Sequence, residues 1–242
     1  MLAGVLLALA LASYGYFFKG DFGRLNALRA LQPQGWRRRR YRVWIAKSWA
    51  LFAAPAVVGL LVLGRIDAIR VLPGEFHGLA VQAGYPAPIF GEGIAIGLFA
   101  GSLIGGGWTL LRKRRGKLPA MLGDFSSLLP RDRSEGWLAT GSAISAGITE
   151  ELYFRLLIPL LVADLTGNAM LGFGVSLVLF ALAHRYQKWL GVAATGLVGV
   201  LLSYLYLQSG ALWVAMVVHA IIDFNGLVVR PALAGMLRRA GD

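Results

Sequence analysis

The chain has no cysteine, which removes disulfides, thiolate metal sites and a cysteine nucleophile together. Any nucleophile must be a hydroxyl, a carboxylate or water. Charge is scarce too: charged side chains make up 15% of 242 residues, while 57% are hydrophobic. That balance excludes an ordinary soluble domain of this size and reads as a polytopic membrane protein. Acids are half as frequent as bases, 12 against 24, for a formal net charge of +12. On a soluble surface such an excess would point to nucleic acid. Here the bases fall between hydrophobic runs, so lipid headgroups are the expected contact and nucleic acid is not. There is no P-loop and no internal repeat.

Runs of about 20 apolar residues fit one transmembrane helix each. Seven are expected, near 2–18, 44–64, 89–111, 137–163, 168–186, 189–208 and 211–229. The fold class is therefore an all-α polytopic membrane helix bundle. Of the Lys and Arg residues, eight lie in 19–43 and seven in 112–136. Arg185, Lys188, Arg230, Arg238 and Arg239 fall on the same side, and only Arg65 and Arg70 fall opposite. By the positive-inside rule the N-terminus is outside and the C-terminus cytoplasmic. Met1 to Phe18 has its bases after the apolar run, which reads as a retained first span. The chain divides into N-terminal helices and basic loops (1–136), a helical core (137–229) and a cytoplasmic tail (230–242).

Trp36-Arg37-Arg38-Arg39-Arg40-Tyr41-Arg42-Val43-Trp44 stands directly before a span and reads as a topology anchor against anionic headgroups rather than an RNA site. Leu118 to Trp137 reads equally as an interfacial segment or a plain linker. The Pro- and Gly-rich stretch Ile66 to Pro88 should be irregular and external, with His77 a solvated loop histidine. Gly93, Gly97, Gly101 and Gly105 line one face of the third span, which suits close packing inside the bundle better than a dimer interface.

Ionisable residues inside spans are costly, and here they cluster. Glu150, Glu151 and Arg155 lie in span four, His184 near the end of span five, and His219 and Asp223 in span seven. Residues four apart share a helix face, so Glu151 pairs with Arg155 and His219 can touch Asp223. Glu150 is rotated about 100° from Glu151. The two acids therefore have different neighbours: Glu151 goes to the ion pair and Glu150 to the cavity. At about 1.5 Å per residue, Glu150 lies roughly 20 Å from the cytoplasmic end of its span but His184 only about 3 Å from the end of its own. A shared site requires tilt or a different end to span five, and water is expected to enter from the cytoplasm.

Glu150-Glu151-x-x-x-Arg155, Phe180-x-x-x-His184 and His219-x-x-x-Asp223 resemble the three ordered motifs of the CPBP family, which includes the type II CAAX prenyl endopeptidases and bacteriocin-processing or immunity-related membrane proteins. The resemblance covers about residues 137–228. It implies an intramembrane glutamic endopeptidase in a prokaryotic plasma membrane acting on a membrane-associated protein or peptide, such as a C-terminal tail, a leader or a CAAX-like substrate. Glu150 and His184 would activate a water, and His219 with Asp223 would stabilise the oxyanion, without a cofactor. Glu151, Arg155 and Phe180 would support them. The family permits Asn or Asp where Asp223 stands, but only Asn donates a hydrogen bond at neutral pH, and an ionised Asp223 would repel an oxyanion. Asp223 would then orient or charge His219, or stay protonated.

Three other uses of these residues stay open. Glu150, His184 and His219 have the chemistry to hold Zn²⁺ with a fourth position for water. Intramembrane acids and histidines also suit a proton-coupled transporter. A non-catalytic scaffold or immunity protein would keep them for packing.

Overall fold

A computed structural model describes residues 1–19, 35–86, 92–116 and 129–237. Among them every regular element is helical and none is a strand. The expected interfacial segment within Leu118 to Trp137 falls largely outside the described residues, as do the tail bases Arg238 and Arg239.

Helix α1 is Leu2–Phe18 and α2 is Trp36–Val62. Two 3-10 turns, Ile66–Ile69 and Gly74–Phe76, lead into α3, His77–Gln82. Helix α4 is Glu92–Arg114. Helix α5 covers 133–166, and α6 is Ala169–Ala183. After a 3-10 turn at Arg185–Gln187, α7 is Lys188–Ser209. Helix α8 is Leu212–Leu233. Trp36–Val62, Arg185–Ser209 and Leu212–Leu233 are long and apolar enough to cross a bilayer, and Leu2–Phe17 and Ala169–Ala183 are shorter apolar helices. The protein is thus an all-helical membrane protein.

Helices α2, α5 and α8 each contain a stretch of π-helix, at Trp49–Ala53, Leu152–Leu157 and Asn225–Val229. The sequence supplies the cause. A proline follows each, at positions 55, 159 and 231, and it has no N–H to bond the carbonyl four residues back. The residue just before each proline donates five residues back instead: Ala54 to Trp49, Ile158 to Tyr153 and Arg230 to Asn225. The π turn of α5 begins directly after Glu150-Glu151 and contains Arg155.

From Glu151 to Ala163, α5 is buried at every residue, as a helix apolar all round must be. It is the axis of the bundle, packed against α1, α2, α6 and α8. Phe52 of α2 meets both Tyr153 and Phe154, at centroid distances of 4.9 and 5.4 Å. Hydrogen bonds tie the neighbours on: Tyr153 to the Ala10 carbonyl, Ser176 to the Phe154 carbonyl, and Tyr14 to the Leu179 carbonyl at 2.9 Å. In lipid, where apolar burial drives helix association weakly, each such bond contributes about 0.6 kcal/mol.

Two expectations are corrected. The stretch Ile66 to Pro88 is not simply irregular. Its short helices are braced by a two-pronged Arg65–Glu75 pair, both contacts 2.9 Å, and they insert the fully buried Phe76 against Phe173 and Tyr206. His77 is exposed as expected, but it opens helix α3 rather than lying in a loop. The glycine ridge of α4 packs only in part as expected. Among the described glycines of this helix, a side chain at Gly97 or Gly101 would meet nothing within 4 Å, while Gly105 and Gly106 approach Arg230 and Leu233. Four-residue spacing creates a smooth face but does not choose what covers it.

The basic start of α2 makes ion pairs within the bundle. Arg37 pairs with Glu135 at 2.8 Å and Arg38 with Asp132 at 2.9 Å. Asp132 caps α5, its side chain accepting from the Glu135 N–H, so these pairs fix the start of the central helix. Burial alone would raise the Asp132 carboxyl, but hydrogen bonds from Ser134, the Glu135 backbone and Arg38 bring it down to about 2.

Candidate active site

Glu151 is fully buried, and its Oε1 accepts from two directions: Arg155 Nη1 at 2.9 Å and His219 Nδ1 at 2.7 Å. The first contact is the one expected from four-residue spacing. The second crosses to α8 and was not foreseen. Asp223 stands farther from His219, its Oδ2 3.8 Å from Nε2. Glu151 thus holds His219 by the shorter contact, with Asp223 at ion-pair distance on its other nitrogen. Since an oxygen already accepting from Arg155 acts as acceptor to His219, the imidazole carries a proton on Nδ1 and turns Nε2 towards Asp223.

Arg155 has further constraints. Its Nη2 reaches the Gly199 carbonyl of α7 at 3.4 Å, and its guanidinium lies 4.0 Å from the centre of the Phe180 ring. A planar cation suits this combination of hydrogen bonds and stacking, which a lysine would not reproduce. Phe180 is the common wall. Its ring lies 5.1 Å from His184 and 5.8 Å, edge to face, from His219. The two histidines, from different helices, thus flank one phenyl ring.

His184 stands where α6 ends, as its C-terminal cap, three residues short of Gln187. Span five is a helix to Ala183 only, not to 186, and Gln187 in the following turn is 3% exposed. At about 1.5 Å per residue, fifteen residues make about 22 Å, less than the roughly 30 Å of bilayer hydrocarbon. The helix is shorter than that thickness, and the contacts of the Phe180 ring with both imidazoles bring His184 near His219. Nδ1 of His184 donates to the Phe180 carbonyl at 2.9 Å. In the neutral ring the lone pair is then on Nε2.

Glu150 is treated differently from its neighbour. It makes no hydrogen bond to any described residue, although its Oε2 is buried. It lies in electrostatic reach of His219, Asp223, Glu151 and Arg155. The structure thus gathers Glu150, Glu151, Arg155, Phe180, His219 and Asp223 around one locus, with His184 behind the Phe180 ring. It shows no direct bond between Glu150 and His184. Among the described residues no group of three or more His, Cys, Asp or Glu side chains is arranged to hold a metal ion.

Residues 133–225 match the family described as type II CAAX prenyl endopeptidase Rce1-like. This bears out the resemblance to the CPBP family. No curated protein and no solved structure matches the chain. The Rce1-like segment runs from the first turn of α5 to two residues beyond Asp223, and so contains all the motif residues. It also contains two glycines without which the site would not close. A Cβ at Gly147 would stand 2.7 Å from the Met216 carbonyl oxygen and 2.9 Å from Ala220, and one at Gly199 would meet Phe180 at 3.0 Å. Neither was singled out from the sequence, where the chain's 32 glycines offer no ranking.

Proposed function

We propose that the Rce1-like segment is an intramembrane endopeptidase that hydrolyses a peptide bond with water activated by Glu150. The observation that carries the reading is the division of labour between adjacent acids. Glu151 is held by Arg155 and His219, while Glu150 makes no hydrogen bond with an oxygen buried beside them. A buried polar atom without a partner costs about 1–3 kcal/mol; Glu151 has one such oxygen beside its two hydrogen bonds, whereas Glu150 has no hydrogen bond at all.

Glu150 takes a proton from the water as its oxygen bonds to the scissile carbonyl carbon, and the carbonyl electron pair moves onto oxygen. When the C–N bond breaks, the proton on Glu150 passes to the departing nitrogen, giving a carboxylate and an amine. His184, with its lone pair on Nε2, shares the handling of the water. His219, fixed by Glu151, offers Nε2 to the developing charge. A preorganised donor of this type contributes about 2.7–4 kcal/mol.

The match to a prenyl endopeptidase family favours a lipid-modified or membrane-bound peptide as substrate. The seven spans, outside N-terminus and cytoplasmic approach of water belong to the same proposal, and no cofactor is required. The test compares membrane proteomes of cells carrying the native chain and Glu150→Gln. Uncut precursors should accumulate with the variant, and identical profiles would exclude the protease reading.

A further inference from the structure

Pro159 leaves one carbonyl of the central helix without a partner in its own helix. Hydrogen bonds in a π turn reach five residues back, and in α5 Ile158 donates to Tyr153. The next N–H in that pattern would serve Phe154, but it belongs to the proline, which has none. The Ser176 hydroxyl of α6 donates to the Phe154 carbonyl instead, and both residues are buried. A buried carbonyl requires such a partner, and here it comes from another helix.

Gly172, Ser176 and Phe180 follow at four-residue spacing and share one face of α6. All three meet the same stretch of α5. A Cβ on Gly172 would stand 2.5 Å from the Pro159 carbonyl oxygen, Ser176 bonds Phe154, and the Phe180 ring lies 4.0 Å from the guanidinium of Arg155, the next residue along. One turn farther, His184 gives its Nδ1–H to the Phe180 carbonyl at 2.9 Å. Phe180 thus enters the site twice, by its ring and by its carbonyl, and the height of α6 along α5 decides where both go. In lipid, apolar contact sets that height weakly. A hydrogen bond sets it sharply, because it is lost within about an ångström of travel.

We infer that Ser176 is a positioning residue of the proposed active site. Its bond to the Phe154 carbonyl fixes the height of α6 against α5, and through Phe180 it places His184 Nε2 for the water. The inference rests on the endopeptidase reading, and Ser176 acts only through Phe180 and His184.

The test is Ser176→Ala, which removes the hydroxyl and leaves the Phe154 carbonyl unpaired. The substrate is a peptide taken from the precursor that accumulates with Glu150→Gln. Misplacement by about 1 Å costs up to about 10²-fold, so kcat should fall about tenfold or more, with KM changed less than about threefold and a melting temperature in detergent near that of the native chain. Equal kcat would overturn the assignment, as would a loss carried by KM alone. A second measurement does not depend on cleavage. The chain has no cysteine, so spin labels attached through Ile144→Cys on α5 and Val178→Cys on α6, both exposed positions, read the height of one helix against the other. Adding Ser176→Ala should shift or broaden their distance distribution, and an unchanged distribution would overturn the assignment even where kcat falls. If Ser176→Ala melts early, the same distance taken below its melting temperature decides in the same way. If no precursor accumulates with Glu150→Gln, the endopeptidase reading itself falls. A precursor cut normally by Ser176→Ala sinks only the role of Ser176.

Discussion

Gly147 of α5 and Met216 of α8 are so close that a single methyl group on the glycine would stand 2.7 Å from the methionine carbonyl oxygen. Gly147 is one helical turn before Glu151, and Met216 one turn before His219. The contact of these two backbones is what allows a 2.7 Å hydrogen bond between Glu151 and His219.

Gly147→Val should therefore part the helices. Overpacking of this kind costs about 1–3 kcal/mol, and cleavage should be lost with it. Gly107→Ala makes the comparison, since a Cβ there meets nothing within 4 Å. It should leave stability unchanged or raise it by about 0.5–1 kcal/mol through helix propensity. Thermal unfolding in detergent reads both.

The two acids should separate in opposite ways. Glu150→Gln removes no hydrogen bond, so it should melt close to the native chain while cleavage is abolished. Glu151→Gln leaves buried Arg155 without its counter-charge, and breaking one side of a buried pair costs about 3–5 kcal/mol. Its yield and melting temperature should fall together. An inactive but fully stable Glu151→Gln would show that the pair is not structural.

Phe180→Leu should reduce activity more than stability. The residue stays apolar, but the ring that stacks on Arg155 and separates His184 from His219 is gone. Loss of the cation and aromatic contacts should cost about 1–3 kcal/mol, with a larger fall in kcat as both imidazoles lose their common wall. Phe180→Tyr, which keeps the ring, should retain the stacking part of the effect.

Acid should loosen the start of α5. Asp132 is held down to about 2 from an ordinary value near 4, and an acid lowered in the folded state adds stability that is present above the unfolded value. That share is intact at neutral pH and disappears as pH falls from about 4 through about 2. Asp132→Asn keeps a good helix cap but removes the titration. Its melting temperature should therefore change less between pH 5 and pH 2 than that of the native chain.

The sequence shows what is local. The helical class, the Glu151–Arg155 pair and the cluster of acids and histidines follow from hydropathy and the 3.6-residue turn. The Glu151–His219 bond joins residues 68 apart, and periodicity contains no information about which helices touch. The three π turns do have a signal, a proline in each helix, but proline alone does not tell a kink from a π turn. The glycine ridge of α4 shows the opposite failure: a regular pattern in sequence that meets little in the fold.

The fifteen residues of α6 bear on the surrounding bilayer if the proposed seven spans hold. On that proposal α6 would be about 8 Å shorter than the hydrocarbon it crosses, and lipid tails along that flank would shorten or tilt at fractions of a kcal/mol per Å. The membrane would be thinnest beside the turn that presents His184, with headgroups and their water closest to the bundle there. The proposed hydrolysis would draw its water along one short helix, and a thicker membrane should slow cleavage without altering any residue of the site.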